Sequence, residues 1–141
     1  MEAPIDILAQ KVLLIVEDQL LLAFGLRDEL EDHGYRVLAV AVHNAEAMSL
    51  AIKDKPDLAL VNIELADGDD GVALATDLKA MGVPVLFISG QPGRGLLARA
   101  VAVGSLCKPY SASEMVDAVD YLFRHQRGDE SRPGPRRLDV F

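Results

Sequence analysis

A chain of 141 residues, 50% of them apolar, can build one compact core but not two full-sized domains. Charged residues interrupt every hydrophobic run before the ~18 residues a membrane span needs, and the start from Met1 to Gln10 carries acids but no base, unlike a secretory signal, so a cytoplasmic protein is expected. The net charge of −8 is uneven: from Arg124 onward five arginines face three acids, an excess of two positive charges that leaves −10 on residues 1–123, a body that repels nucleic-acid phosphate.

After an extension over residues 1–10, the segment 11–124 alternates short apolar runs with helix-period stretches five times. Val12 to Val16 (VLLIV) is the first strand expected. A helix from about Gln19 to His33 follows, with Leu22, Leu26 and Leu30 four apart on one face and Gly34 suited to the left-handed cap that ends it. Next come a strand over Val37 to Val42 and a helix over Ala45 to Lys53, then a strand over Leu58 to Val61 and a helix over Val72 to Met81. A strand over Val83 to Ile88 precedes a helix over Leu96 to Ala102, and the fifth unit pairs Gly104 to Cys107, the weakest strand, with Ser113 to Arg124. Ser111 and Glu114 form an S-x-x-E capping box ahead of that last helix. From His125 the chain reads HQRGDESRPGPRRLDVF, rich in Arg, Pro and Gly, and a disordered basic tail over 125–141 is expected, a solvated terminus in preference to a contact arm. The single cysteine, Cys107, forms no internal disulfide and suits the core as a small hydrophobe.

Near-continuous hydrophobicity, in place of alternation, marks strands covered on both faces. Five βα units in a row then imply an α/β fold, a doubly wound parallel sheet with helices on both sides. In such a sheet functional groups gather at the carboxyl ends of the strands. Those ends carry Glu17 and Asp18 after the first strand, Asn62 after the third, Ser89 after the fourth, and Lys108 with Pro109 after the fifth. Taken singly, each has an ordinary explanation: acids suit the start of a helix, and a serine or lysine in a loop is commonplace. Their arrival together at the right strand ends is what points to a shared pocket.

The pieces KVLLIVED, PDLALVNIELADGDDG, VPVLFISG and CKPY stand in the order and near the spacings of the two-component response-regulator receiver domain, which the chain resembles from about Lys11 to Arg124. The resemblance implies a flavodoxin-like, five-stranded sheet of order 2-1-3-4-5. It further implies that Glu17 and Asp18 hold Mg²⁺ with the backbone carbonyl of Glu64 and the side chain at 62, that Ser89 bonds a phosphoryl group, that Lys108 neutralises it, and that Pro109 follows a cis peptide bond. As partners it implies a histidine kinase or phosphotransfer protein, and a homodimer through the face of the fourth helix, fifth strand and fifth helix. No nucleic-acid or membrane partner is expected, and no enzymatic activity.

The chain departs from that family at the centre of the chemistry. Transfer from a phosphohistidine needs a carboxylate to attack phosphorus, a divalent cation for the equatorial oxygens and fixed positive charge for the rest. Asn62 stands where the phosphoryl-accepting aspartate belongs, and an amide, its nitrogen lone pair delocalised into the carbonyl, cannot form the acyl phosphate. Mg²⁺ should bind more weakly for the same reason. Asp67, Asp69 and Asp70 are expected to shape the following Gly-containing turn and not to replace the acceptor. Ser105 fills the switch position, where the family commonly has an aromatic residue three places before the lysine. AVAVGSLCKPY is also short, and QPGRG after the fourth strand is unusual. Two origins of Asn62 stay open: a natural receiver that is not phosphorylated there, or an engineered replacement in a phosphorylatable one.

Two rival motifs are weaker. Gly93-Arg-Gly95-Leu-Leu-Ala98 matches the G-x-G-x-x-A of a Rossmann enzyme, with Glu114 about twenty residues on, but the unit is fourth instead of first and Glu114 is placed to open a helix. A calcium loop counted from Asp67 would need glutamate where Leu78 stands. His33, His43 and His125 show no ligand spacing.

Overall fold

The computed structural model describes residues 10–65, 70–90 and 95–141, the side chains at 95 and 96 excepted. In chain order the elements are β1 (Val12–Val16), α1 (Leu20–Asp32), β2 (Arg36–Ala41), α2 (Asn44–Lys53), β3 (Leu58–Asn62), α3 (Gly71–Ala80), β4 (Val85–Ser89), α4 (Gly95–Val101), β5 (Gly104–Cys107), α5 (Ala112–Gln126) and β6 (Leu138–Val140). The sheet runs β2-β1-β3-β4-β5-β6. Its first five strands are parallel, in the order the resemblance implies, and β6 joins antiparallel to β5.

Both faces of the sheet are buried. On β1, Leu13 and Ile15 point into one apolar layer while Leu14 and Val16 point into the other, and β3 and β4 divide their residues in the same way. This two-sided burial is why the strands read as unbroken apolar runs. Helices α1 and α5 cover the first layer, and α2, α3 and α4 the second. Ser111 caps α5 by accepting from the Glu114 N–H at 3.0 Å while the Glu114 carboxylate accepts from the Ser111 N–H at 2.9 Å. Gly34 takes a φ of 96° just beyond α1, the left-handed geometry expected of it.

Two sequence-based expectations change. Leu22 is 36% exposed, and the buried stripe of α1 is Ala23, Leu26 and Leu30. Residues four apart drift around a helix by about 40° per step, so a stripe spaced three and then four stays on the core where a strict four-residue repeat does not.

The second change concerns residues 125–141, expected to lack structure. After Gly128, at φ 79°, the chain turns back along α5. Tyr121 donates to Glu130 at 3.0 Å, Arg124 donates to the Arg132 carbonyl at 3.2 Å, and His125 bonds Glu130. Leu138–Val140 then pairs with β5. Composition hid this strand because it is three residues long and half charged in its surroundings, although the alternation Arg137, Leu138, Asp139, Val140 is the period-2 signal of an edge strand. The dipeptide Pro133-Gly134 fits tightly too: a Cβ at Gly134 would lie 3.0 Å from the Tyr121 ring.

Candidate functional site

The carboxyl ends of β1, β3, β4 and β5 converge, and the sequence-expected side chains converge with them. Glu17 and Asn62 are buried, at 0% and 2% exposure, and Ser89 at 5%, while Asp18 and Lys108 are half-buried. Asn62 sits at the centre. Its Nδ2 donates to Glu17 Oε2 at 3.0 Å, and its Oδ1 accepts from the Glu64 N–H at 3.2 Å and from Lys108 Nζ at 3.5 Å. The amide therefore uses both of its ends, giving a proton to the acid on one side and an oxygen to the cation on the other. A carboxylate could serve only the second.

Glu17 is a buried acid whose hydrogen bonding is incomplete. Its Oε2 also accepts from the Gln19 N–H at 3.1 Å, but its Oε1 is buried and finds no partner among the described residues. Burial pushes its carboxyl above the ordinary carboxylate range and the bond with Asp18 adds to this, against the opposing pull of the Gln19 N–H, the Asn62 amide and the Lys108 charge. An acid whose pKa is raised on folding contributes stability that is present below its ordinary value and lost as pH rises through the raised one. With metal chelated, the melting temperature should therefore fall as pH climbs from about 4.5, the ordinary Glu value, towards neutrality. Glu17→Gln should flatten that fall and melt higher than the parent at neutral pH. Parallel pH profiles for the two proteins would show that Glu17 carries no such burden.

Ser89 Oγ donates to Glu64 Oε1 at 3.4 Å, and the Ser89 carbonyl accepts from the Lys108 N–H at 2.9 Å, which ties β4 to the lysine. The Lys108–Pro109 bond is cis, as the resemblance implied. Tyr110 follows it half-buried, its hydroxyl pushed up to about 12 by burial and by the Glu17 charge. Asp70, expected only to shape a turn, caps α3 by accepting from the Val72 N–H at 2.9 Å. Asp67, Asp69 and Gly93 lie outside the described residues. Glu114 closes a capping box at the start of α5 and does not end a strand.

Two contributors escaped the sequence reading. Gly71 lets α3 start directly against the end of β3, since a Cβ there would lie 2.7 Å from Ile63 Cα and 2.8 Å from the Asn62 carbonyl oxygen. Only the glycine content of the turn DGDDG hinted at it. Beside the pocket, α1 opens with an apolar shoulder: Leu21 is 91% exposed, Leu20 46% and Phe24 38%. Among the described residues no group of three His, Cys, Asp or Glu is placed to hold a metal ion.

Comparison with known proteins agrees with this geometry. Residues 13–120 match the family model of the response regulator receiver domain. The phyllosphere-induced regulator PhyR of Methylorubrum extorquens is 33% identical over 123 residues, covering 85% of this chain and 46% of that protein. The chain spans about half the length of the curated relatives it matches. Among solved structures, the signal receiver domain of a modulated diguanylate cyclase from Desulfovibrio desulfuricans superposes with a TM-score of 0.73 at 34% identity, over 86% of this chain and 99% of that one. The response regulator TrrA of Thermotoga maritima, crystallised with Mg²⁺-BeF, shares the fold with a TM-score of 0.71 at 22% identity, over 80% of this chain and 99% of its own. With the family model matched over most of its length and a third of its aligned positions identical to PhyR, the chain belongs to the response regulator receiver domain family.

Proposed function

We propose that this chain is a signalling receiver that acts without accepting a phosphoryl group at position 62, by docking on a histidine kinase or phosphotransfer protein of the two-component type. The observation that carries this reading is the bond from Asn62 Nδ2 to Glu17 Oε2 at 3.0 Å. It puts a neutral amide, hydrogen-bonded at both ends, where the family's reaction needs a charged nucleophile. The pocket then keeps one conformation with no phosphoryl group to bias it. The apolar shoulder of α1 at its rim offers a helical partner a desolvating contact next to the pocket. Protein recognition and not catalysis is the activity proposed, in the cytoplasm, with Ser105 in place of the aromatic switch residue.

Mg²⁺ fits the residues present. The buried Glu17 Oε1, without a hydrogen-bond partner among the described residues, is an oxygen of the class a hard cation takes, as are the Asp18 carboxylate, the Glu64 carbonyl and Asn62 Oδ1. When bound, the ion supplies positive charge to any anion in the pocket. Glu17, Asp18 and Lys108 with a neutral Asn62 leave one net negative charge, against two with aspartate at 62, so this chain should bind Mg²⁺ more weakly than its Asn62→Asp variant. A pair of calorimetric titrations tests that order, with roughly a tenfold difference in Kd expected for one charge. Equal or tighter binding by the parent would remove Asn62 from the metal site.

One observation favours a second reading. Glu17, Ser89 and Lys108 surround Asn62 with the side chains a phosphorylatable receiver would use, as they would if aspartate had been replaced at 62 to hold such a regulator in its unmodified state, although Ser105 is a second departure. Codon 62 of the gene separates the two.

A further inference from the structure

The chain that returns along α5 brings positive charge to the end of the sheet opposite the Asn62 pocket. A groove of about 790 Å³ opens there, at the start of β1, between the ends of α1 and α5 and the returning segment. Its cations come from separate parts of the sequence: Lys11 ahead of β1, Arg124 in the last turn of α5, Arg127 just beyond it and Arg132 in the returning segment. None of the four meets a carboxylate at ion-pair distance among the described residues. Lys11 Nζ lies 5.5 Å from the centre of the Phe123 ring, and Arg124 spends one Nη on the Arg132 carbonyl at 3.2 Å while its buried Nε has no partner among the described residues. Asp120, the acid among the described lining residues, accepts from the Tyr35 hydroxyl, and Asp129, near enough to feel the Arg124 and Arg127 charges, accepts from the Ser131 N–H at 3.0 Å. Like charges gathered in this way repel, so the fold holds them together at an electrostatic cost that an anion would remove.

We propose that this groove binds a small molecule through a diphosphate group, independently of the Asn62 pocket. Lys11, Arg124, Arg127 and Arg132 against Asp120 leave a formal excess of three positive charges, which two linked phosphates match with about three negative ones. Guanidinium forks take phosphate oxygens two at a time, and all but one of these cations are arginines. The groove's volume lies within the roughly 300–1,000 Å³ of small-molecule sites, and the Tyr35 and Phe123 rings, stacked at 5.9 Å, give it an apolar wall beside the cations. A nucleoside diphosphate and free pyrophosphate share this chemistry. The segment after α5 thereby has a use that its composition concealed: Arg127 and Arg132 face a groove instead of open solvent.

Calorimetric titrations of the full chain with inorganic pyrophosphate and with ADP test this, in chelator so that no metal carries phosphate to the Asn62 pocket. At least one probe should bind saturably at a single site. Arg127→Ala with Arg132→Ala, two exposed side chains, should weaken that binding at least about tenfold. Two controls should leave it unchanged: Lys108→Ala, which alters only the Asn62 pocket, and Lys53→Ala with Arg136→Ala, which removes the same charge from exposed positions elsewhere. Tighter binding of ADP assigns the nucleoside ester, and pyrophosphate binding at least as tightly assigns the free diphosphate. Binding of neither probe, binding indifferent to Arg127 and Arg132, or binding weakened as much by either control would each overturn the proposal. If the arginine variant melts below the parent, Lys11→Ala on the other side of the groove reads the same loss, and unchanged binding there also overturns it.

Discussion

Asn62→Asp should turn a chain that takes no phosphoryl group from acetyl phosphate into one that takes a single group per molecule, with the modification lost on replacing Lys108 or removing Mg²⁺. The rest of the pocket already stands around position 62: Glu17 within hydrogen-bond distance on one side, Lys108 on the other, and Ser89 on the neighbouring strand. On the proposed reading only the nucleophile is missing. A carboxylate in the place of the amide would keep the Oδ1 contacts to the Glu64 N–H and Lys108 and expose a second oxygen to attack phosphorus. The shape is the same, so the gain should need no second substitution. Phosphopeptide mapping of the variant checks the outcome. A variant that stays unmodified would mean the converging groups are not arranged for in-line transfer.

The same substitution should cost the metal-free fold about 1 kcal/mol or somewhat more. Asn62 now donates a proton to a fully buried Glu17 carboxylate. Aspartate would replace that donor with a second negative charge at the same distance, in a crevice where burial already pushes the Glu17 carboxyl up. The penalty is electrostatic, so it should shrink when the charge is neutralised. Saturating Mg²⁺ should narrow the gap, because the aspartate form binds the ion better and native-state binding adds stability by mass action. Urea melts at neutral pH, with chelator and with excess Mg²⁺, measure both differences. An aspartate form at least as stable without metal, or a gap untouched by Mg²⁺, would contradict the convergence of Glu17, Asp18 and position 62.

The strands were legible because burial on both faces leaves an unmistakable mark: Leu13 to Val16, Leu58 to Val61 and Val85 to Ile88 are apolar throughout. The pocket was legible for a topological reason, since parallel strands with crossover helices deliver their carboxyl ends to one place. Its inner wiring was not. That Asn62 turns its nitrogen to Glu17, that the Glu64 side chain reaches Ser89, and that Gly71 makes room for the start of α3 depend on backbone positions within tenths of an ångström. Leu22 was misplaced by a rotation of the helix too small for spacing alone to detect. β6 was missed because its stability comes from the edge of β5, some thirty residues earlier in the chain, and the three-residue stretch LDV carries too little apolar length to announce itself.

The claim that most depends on Asn62 is that the chain does not carry phosphoryl groups. Its most direct test is intact-mass measurement after incubation with acetyl phosphate or a phosphorylated histidine kinase in excess Mg²⁺. The expected spectrum is that of the unmodified chain, with the phosphoryl group remaining on the donor. An acid-labile adduct of one phosphoryl group, mapped to Asp67, Asp69, Asp70 or any pocket residue, would contradict it and make that residue the acceptor.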